Sequence, residues 1–198
     1  MIKFKKLSHE DPYQIFKEKY QQSLELGQEN IEAICISSYS SALNEVNARY
    51  VNLKIVKDKE FIFFSNYNSI KSSDFRSHNQ ISALIYWNAT NIQIRMKAQI
   101  RKTSKKFNQK YFGDRSEKKN ALAISSNQSK QIDSYSQVKE NYNKSLESDD
   151  LKKCPEYWGG YSFIPYYFEF WEGHESRINK REAFDKINGI WKHSFLQP

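Results

Sequence analysis

REAFDKI and IWKHSFL, residues 181–187 and 190–196, are separated only by Asn188-Gly189. An Asn-Gly pair accepts the positive-φ backbone of a two-residue turn whose twist matches that of paired strands. A chain that closes a hairpin here carries antiparallel sheet, and the rest of the sequence has the side chains to extend it. Tyr and Phe number 13 each and fall with Ile and Val in short runs, which suits a pleated, half-buried surface. With 15% aromatic and 38% hydrophobic residues among 198, the chain is not of disordered composition. It is long enough for one domain with a sizeable core.

Other segments fill in the order of elements. HEDPYQIFKEKYQQSLELG (9–27) reads as a helix over about 11–26, with Asp11 to cap it, Pro12 in the first turn and Gly27 to stop it. Ile15, Phe16, Tyr20 and Leu24 follow helical spacing. The period then changes. IEAICISSYS (31–40) reads as a strand, and ARYVNLKIV (48–56) with EFIFFSN (60–66) as a hairpin about KDK. SIKSSDFRSH (69–78) is a short helix, followed by strands QISALIYW (80–87) and NIQIRMKAQIRKTS (91–104) about the turn NAT. A polar, helical excursion covers about 105–151, with SYSQVKENYNKSL (134–146) its clearest helix and 113–133 loop-like. Strands return over about 159–198, beginning with GGYSFIPYYFEFWE. No internal repeat is present. The expected fold is mainly β, an antiparallel barrel or sheet with peripheral helices, as a single domain over 1–198.

A formal net charge of +8 favours an anionic partner: nucleic acid, a membrane surface or a phosphorylated small molecule. Lys and Arg are spread over predicted helices and turns, so a solvated surface accounts for most single lysines. Cys35 and Cys154 lack metal spacing, and Cys35 in IEAICIS is expected to be a buried thiol; a reducing cytoplasm fits this usage. No apolar run reaches membrane-spanning length, and Met1 opens a polar, basic segment without the apolar stretch of a signal peptide. His9, His78, His174 and His193 lie apart without ligand spacing, so no metal site is expected. There is no GxGxxG, P-loop, HExxH, CxxC or nucleophile elbow.

What remains is a set of basic and hydroxyl residues at strand ends. Arg49 and Lys54 lie on one strand, RYVNLK, at odd spacing, so they face opposite sides of the sheet. Ser65, Ser69 and Lys71 follow the next strand and open a helix, a natural phosphate site. A capping Ser69 and a solvated Lys71 are the plain alternative. Gln93 begins a strand, and a Gln at a strand edge can hydrogen-bond a heterocycle. YFGDR (111–115) sets Tyr111 and Arg115 four apart, on one helical face if the stretch is helical, where they could hold a phosphate or form a surface ion pair or cation–π contact.

These pieces appear in a known order. RYVNLK, FFSNYNSIK, QISALIYW followed by Gln93, YFGDR, SNQS (126–129), YWGGY and EFWEG…SRINKR…GIWKHSFLQP resemble the pyridoxamine (pyridoxine) 5′-phosphate oxidase family from about residue 10 to Pro198. The resemblance implies an FMN-binding split barrel, working as a homodimer with each flavin at the subunit interface. It implies FMN contacts for Arg49, Phe64, Ser65, Lys71, Gln93, Gln128, Ser129, Trp171 and Arg181. It implies a substrate-phosphate group of Lys54, Tyr111 and Arg115, and a catalytic Arg177 over the substrate. The implied reaction is oxidation of pyridoxamine or pyridoxine 5′-phosphate to the aldehyde, with O2 as acceptor.

Three positions depart from the family pattern. Ile70 stands where an Arg is usual, which removes one FMN-phosphate contact. Lys119 stands where Ser is usual and can still meet a phosphate. Asn179 stands where His is usual and cannot act as an acid or base near neutral pH. Because Lys119 and Asn179 touch the substrate side, a related flavin oxidase with another substrate, of the phenazine-biosynthesis type, is the alternative. A basic, aromatic-rich barrel binding single-stranded nucleic acid is a third reading, which leaves the collinear motifs unexplained.

Overall fold

The computed structural model describes residues 1–198. Ten strands run β1 (Lys3–Lys5), β2 (Ala33–Ser40), β3 (Glu45–Asn52), β4 (Ile55–Lys57), β5 (Glu60–Asn66), β6 (Gln80–Trp87), β7 (Ile92–Lys102), β8 (Trp158–Glu172), β9 (Lys180–Ile187) and β10 (Ile190–Leu196). Five α-helices intervene: α1 (Asp11–Glu25), α2 (Ile70–Ser77), α3 (Lys105–Gly113), α4 (Glu117–Ser125) and α5 (Tyr135–Ser148). The strands pair in the order β1-β4-β5-β8-β7-β6-β2-β3, with β9 joining β8 and β10 joining β9. This is the expected split barrel, antiparallel throughout except for the short parallel pair β1–β4.

The Asn188-Gly189 turn forms as its chemistry requires. Ile187 faces Ile190 across it, with φ of 51° at Asn188 and 82° at Gly189. β8 is the organising strand. Its edge pairs with β5 over Phe163–Trp158 and then, past Pro165, with β9 over Tyr167–Glu172. Its other edge follows β7 along its whole length, with a register shift between Lys97 and Ala98. Lys97 faces Tyr167 and Ala98 faces Pro165, so Tyr166 is the extra residue of a bulge. Pro165 at this point has no N–H to give to a ladder. The bulge changes which parity faces inward. Tyr161 and Phe163 are core residues before it, Phe168 and Phe170 after it. β7, without an extra residue, keeps Ile92, Ile94, Met96, Ala98 and Ile100 inward throughout.

One cluster of 27 buried hydrophobic residues joins α1, β2 and β5–β9. Phe61, Phe63, Phe163 and Phe168 are fully buried in it, each worth about 1.5–3 kcal/mol in burial.

Several local expectations are corrected. Asp11 is inside α1, and the N-cap position is Glu10, whose N–H donates to the Ser8 hydroxyl. The inward face of α1 is Tyr13, Phe16 and Tyr20; Leu24 is exposed. The run 48–56 is two strands, because β3 pairs with β2 whereas β4 pairs with β5. Leu53 and Lys54 form the break, so Arg49 and Lys54 do not share a strand. The stretch 113–133 contains α4, which rests on α5 and contributes only Asn120 and Ala121 as buried residues. Cys35 is half-buried on the outward parity of β2, since Ile34 and Ile36 take the core. No helix is long and apolar enough to cross a membrane.

Candidate functional site

A cavity of about 780 Å³ is lined by Lys54, Phe64, Ser65, Lys71, Tyr111, Arg115, Lys119, Gln128 and Trp158, with Lys3 and Lys5 of β1 among its other residues. Seven residues singled out from the sequence as flavin or phosphate contacts, and Lys119, therefore meet at one place. β5 ends at Asn66 and the chain turns into α2, with Ser69 at the N-cap position. The Ser69 hydroxyl does not cap the helix; it donates to the Asn66 carbonyl at 2.8 Å.

Lys71, in the first turn of α2, is not solvated: it is 8% exposed. Its Nζ donates to Ser65 Oγ at 3.0 Å and Ser69 Oγ at 3.2 Å. No carboxylate reaches it. Burial, and then the charge of Arg49, push its pKa down to about 8. Arg49, reaching over from β3, is satisfied differently. It donates to Ser38 Oγ at 2.6 Å and pairs with the buried Asp74 at 3.6 Å. Burial lowers its pKa in spite of Asp74. Gln128 Oε1 accepts from Ser65 Oγ at 3.1 Å and from the Asn66 N–H at 3.2 Å. Ser129, expected beside Gln128 as a flavin contact, lines a separate depression with α4 and α5 residues. Its backbone has a φ of 72°, which turns the chain between the two.

The other wall of the cavity is aromatic. Tyr111 stacks on Phe64 with ring centroids 3.7 Å apart and an 8° interplanar angle, and Phe64 lies parallel to Trp158 at 5.1 Å. Arg115 lies past the end of α3, so it is not on one helical face with Tyr111. Its guanidinium instead lies 4.5 Å over the Trp158 ring. Arg115 Nη2 donates to the Lys119 carbonyl at 3.3 Å, while Nη1 is buried without any partner. Burial holds the Arg115 pKa below the usual guanidinium value. Lys54 is 3.1 Å from Glu32, a carboxylate held below its usual range by Lys54 despite burial raising it.

Gln93, Trp171 and Arg181 do not line this cavity. They form a row across three strands, Gln93 opposite Trp171 on β8 and Trp171 opposite Arg181 on β9. Gln93 thus sits inside the sheet rather than at an edge. Arg181 donates through Nε to Glu169 Oε1 at 2.9 Å and through Nη1 to the Gln197 carbonyl at 2.8 Å. Beyond β8, the loop 173–179 carries Arg177, exposed, with a φ of 64°. Asn179 Oδ1 accepts from the His174 N–H at 3.0 Å and so ties the loop to itself.

Trp158, Glu169 and Arg95 were missed by sequence reasoning. Trp158 stood in the quoted YWGGY. The glycine after it is required by close approach, since a Cβ at Gly159 would collide with Tyr67 and Asn108. Glu169 and Arg95 had no distinguishing spacing.

Residues 158–198 match the family described as pyridoxine 5′-phosphate oxidase C-terminal dimerisation region. A pyridoxine/pyridoxamine 5′-phosphate oxidase of Colwellia psychrerythraea is 30% identical over 194 residues, 96% of this chain and 88% of that protein. One from Paraburkholderia phytofirmans is 31% identical, over 95% of this chain and 89% of that protein. Among solved structures, PhzG from Burkholderia lata, in complex with tetrahydrophenazine-1-carboxylic acid, superposes with a TM-score of 0.89 at 22% identity, covering 94% of this chain and 92% of that one. A pyridoxamine 5′-phosphate oxidase-related, FMN-binding protein from Nostoc punctiforme gives 0.75 at 11% identity, covering 92% and 97%.

Proposed function

The chain belongs to the pyridoxine/pyridoxamine 5′-phosphate oxidase family, and from that premise we propose that it oxidises pyridoxamine or pyridoxine 5′-phosphate with FMN, as a single-domain homodimer in a reducing cytoplasm. One observation carries the reading. The same cavity holds two cations that no carboxylate of the chain pairs with: Lys71, whose buried ammonium meets only the Ser65 and Ser69 hydroxyls, and Arg115, whose buried Nη1 has no partner. A buried charge without a counter-charge is unfavourable, so a site built this way fits ligands that bring negative charge. Two phosphates, one on the cofactor and one on the substrate, meet that requirement.

The Lys71 side would hold the FMN phosphate, with Ser65, Ser69, Arg49 and Gln128 around it. Arg115, Tyr111, Lys54 and Lys119 would hold the substrate phosphate, so that remote binding energy orients the reacting carbon. FMN, when bound, supplies the acceptor for the hydride that leaves the substrate, with O2 as the terminal oxidant. Gln93, Trp171 and Arg181 as flavin contacts, and Arg177 as the group over the substrate, lie outside the cavity of their own chain. A second copy, docked through the 158–198 region, is what would complete the site. Asn179 is tied to the His174 N–H and holds the loop, and hence Arg177, rather than exchanging protons.

A second reading, a flavin oxidase for another anionic substrate, is favoured by Lys119, a cation where a hydroxyl is usual. One experiment separates the two. The protein with FMN is followed by anaerobic visible spectroscopy as pyridoxamine 5′-phosphate is added. A protein-bound flavin band that bleaches is the expected result. A bound flavin that stays oxidised overturns the substrate, and no bound flavin overturns the cofactor.

A further inference from the structure

We infer that Glu169 is a positioning residue for Arg181, a role that rests on the proposed flavin contact of that arginine. Glu169 lies on the outward parity of β8, between Arg95 of β7 and Ala183 of β9. Trp171 is two residues further along the same face. An outward-facing carboxylate ordinarily sits in water, yet Glu169 is only 2% exposed. Oε1 accepts from Arg181 Nε at 2.9 Å and lies 2.8 Å from Arg181 Nη2. Oε2 accepts from Arg95 Nη2 at 2.5 Å and from the Tyr167 hydroxyl at 2.9 Å. Burial raises the carboxyl pKa, but these donors, Arg181 first among them, outweigh it and hold it below the usual range.

The geometry is a clamp. Two contacts from one guanidinium to a single oxygen fix its plane, and the Gln197 carbonyl fixes the third corner through Nη1. Arg181 keeps its charge and two N–H groups for a ligand, at a set angle beside Trp171. Arg95 and Tyr167 hold the carboxylate from the other side, so Glu169 cannot follow Arg181 if a ligand pulls on it. Glu169 takes no part in chemistry.

The test uses the full-length protein and three variants: Glu169→Gln, Glu169→Asp and Arg181→Ala. In flavin-free protein the Arg181 Nε–H, shielded by the Glu169 oxygen, should give a slowly exchanging NMR resonance that is lost in Glu169→Gln. FMN titration should show a tenfold to hundredfold weaker dissociation constant for Glu169→Gln, roughly the worth of one charge-assisted contact. Glu169→Asp should recover part of it. In the Arg181→Ala background Glu169→Gln should add little, because its effect passes through the arginine. An unchanged Nε–H resonance, or fully additive losses in the double variant, overturns the role. If Glu169→Gln does not fold, the resonance and the titration are read on Glu169→Asp. Failure of the wild-type protein to bind FMN, with the resonance behaving as expected, overturns the cofactor reading and leaves the clamp.

Discussion

The cavity beside α2 and the outer face of β7–β9 treat positive charge in opposite ways. In the cavity, Lys71 is buried against hydroxyls and Arg115 leaves a buried nitrogen without a partner. On the outer face, Arg95 and Arg181 converge on one buried carboxylate. The first arrangement is unfavourable until an anion arrives; the second is complete already. The difference separates cations kept for a ligand's charge from cations whose direction is fixed in advance. Arg177 belongs to neither group, being exposed, held by no carboxylate, and at a backbone φ of 64° that L-residues seldom adopt.

Changing Arg177 should have the largest effect. Arg177→Ala should lower turnover about a hundredfold, the scale of lost orientation at a reacting carbon, while bound flavin stays near wild type. Paired measurement of kcat and flavin content checks this, and equal losses would move Arg177 into the cofactor group. Lys71→Met comes next. FMN should bind roughly tenfold to a hundredfold more weakly, yet flavin-free protein should be as stable as wild type or more stable by about 1 kcal/mol, because an unpaired buried charge is gone. Fluorescence titration and thermal unfolding read the two quantities, and a large loss of stability would erase the contrast between the cavity and the outer face. Trp158→Leu should raise KM for the phosphorylated substrate about threefold to tenfold through loss of the Arg115 stacking, with kcat little changed. Initial-rate kinetics decides.

The smallest effect is a pH dependence. Folded, Lys71 gives up its proton near pH 8, below its ordinary 10.5. Between those values the unfolded chain binds more protons, so the stability of the flavin-free protein should rise with pH across this window. FMN affinity should fall over the same range as the ammonium is lost. Both slopes should flatten in Lys71→Met, measured by unfolding and titration at a series of pH values.

Strands were easy to read because period-2 alternation and Asn188-Gly189 act locally. The break at Leu53-Lys54 was hidden, since apolar alternation continues across it and only the change of partner from β2 to β5 reveals it. α4 was hidden because Asn120 and Ala121 alone are buried on it. For the candidate site, the cavity members could be gathered only through the order of the motifs, which links residues far apart in the chain. Spacing alone left Lys71 open between a phosphate ligand and a solvated lysine; its burial removes the solvated alternative. Glu169 could not be found that way. A carboxylate's importance lies in the arginines that converge on it, and Arg95 and Arg181 come from different strands. Ser129, which the resemblance groups with Gln128 through SNQS, is exposed and lines a different depression, because the chain turns between the two.

The bulge at Tyr166 gives β8 something like a reading frame. Before it the strand gives the core odd residues, Tyr161 and Phe163; after it, even ones, Phe168 and Phe170. Loss of one residue here would leave the composition of the strand almost unchanged, yet would send Glu169 and Trp171 into the core and turn Phe168 and Phe170 outward. Substitutions along β8 are therefore local events, whereas a change of length is global. Sequence drift in this chain is free to alter the letters of the segment far more readily than their number.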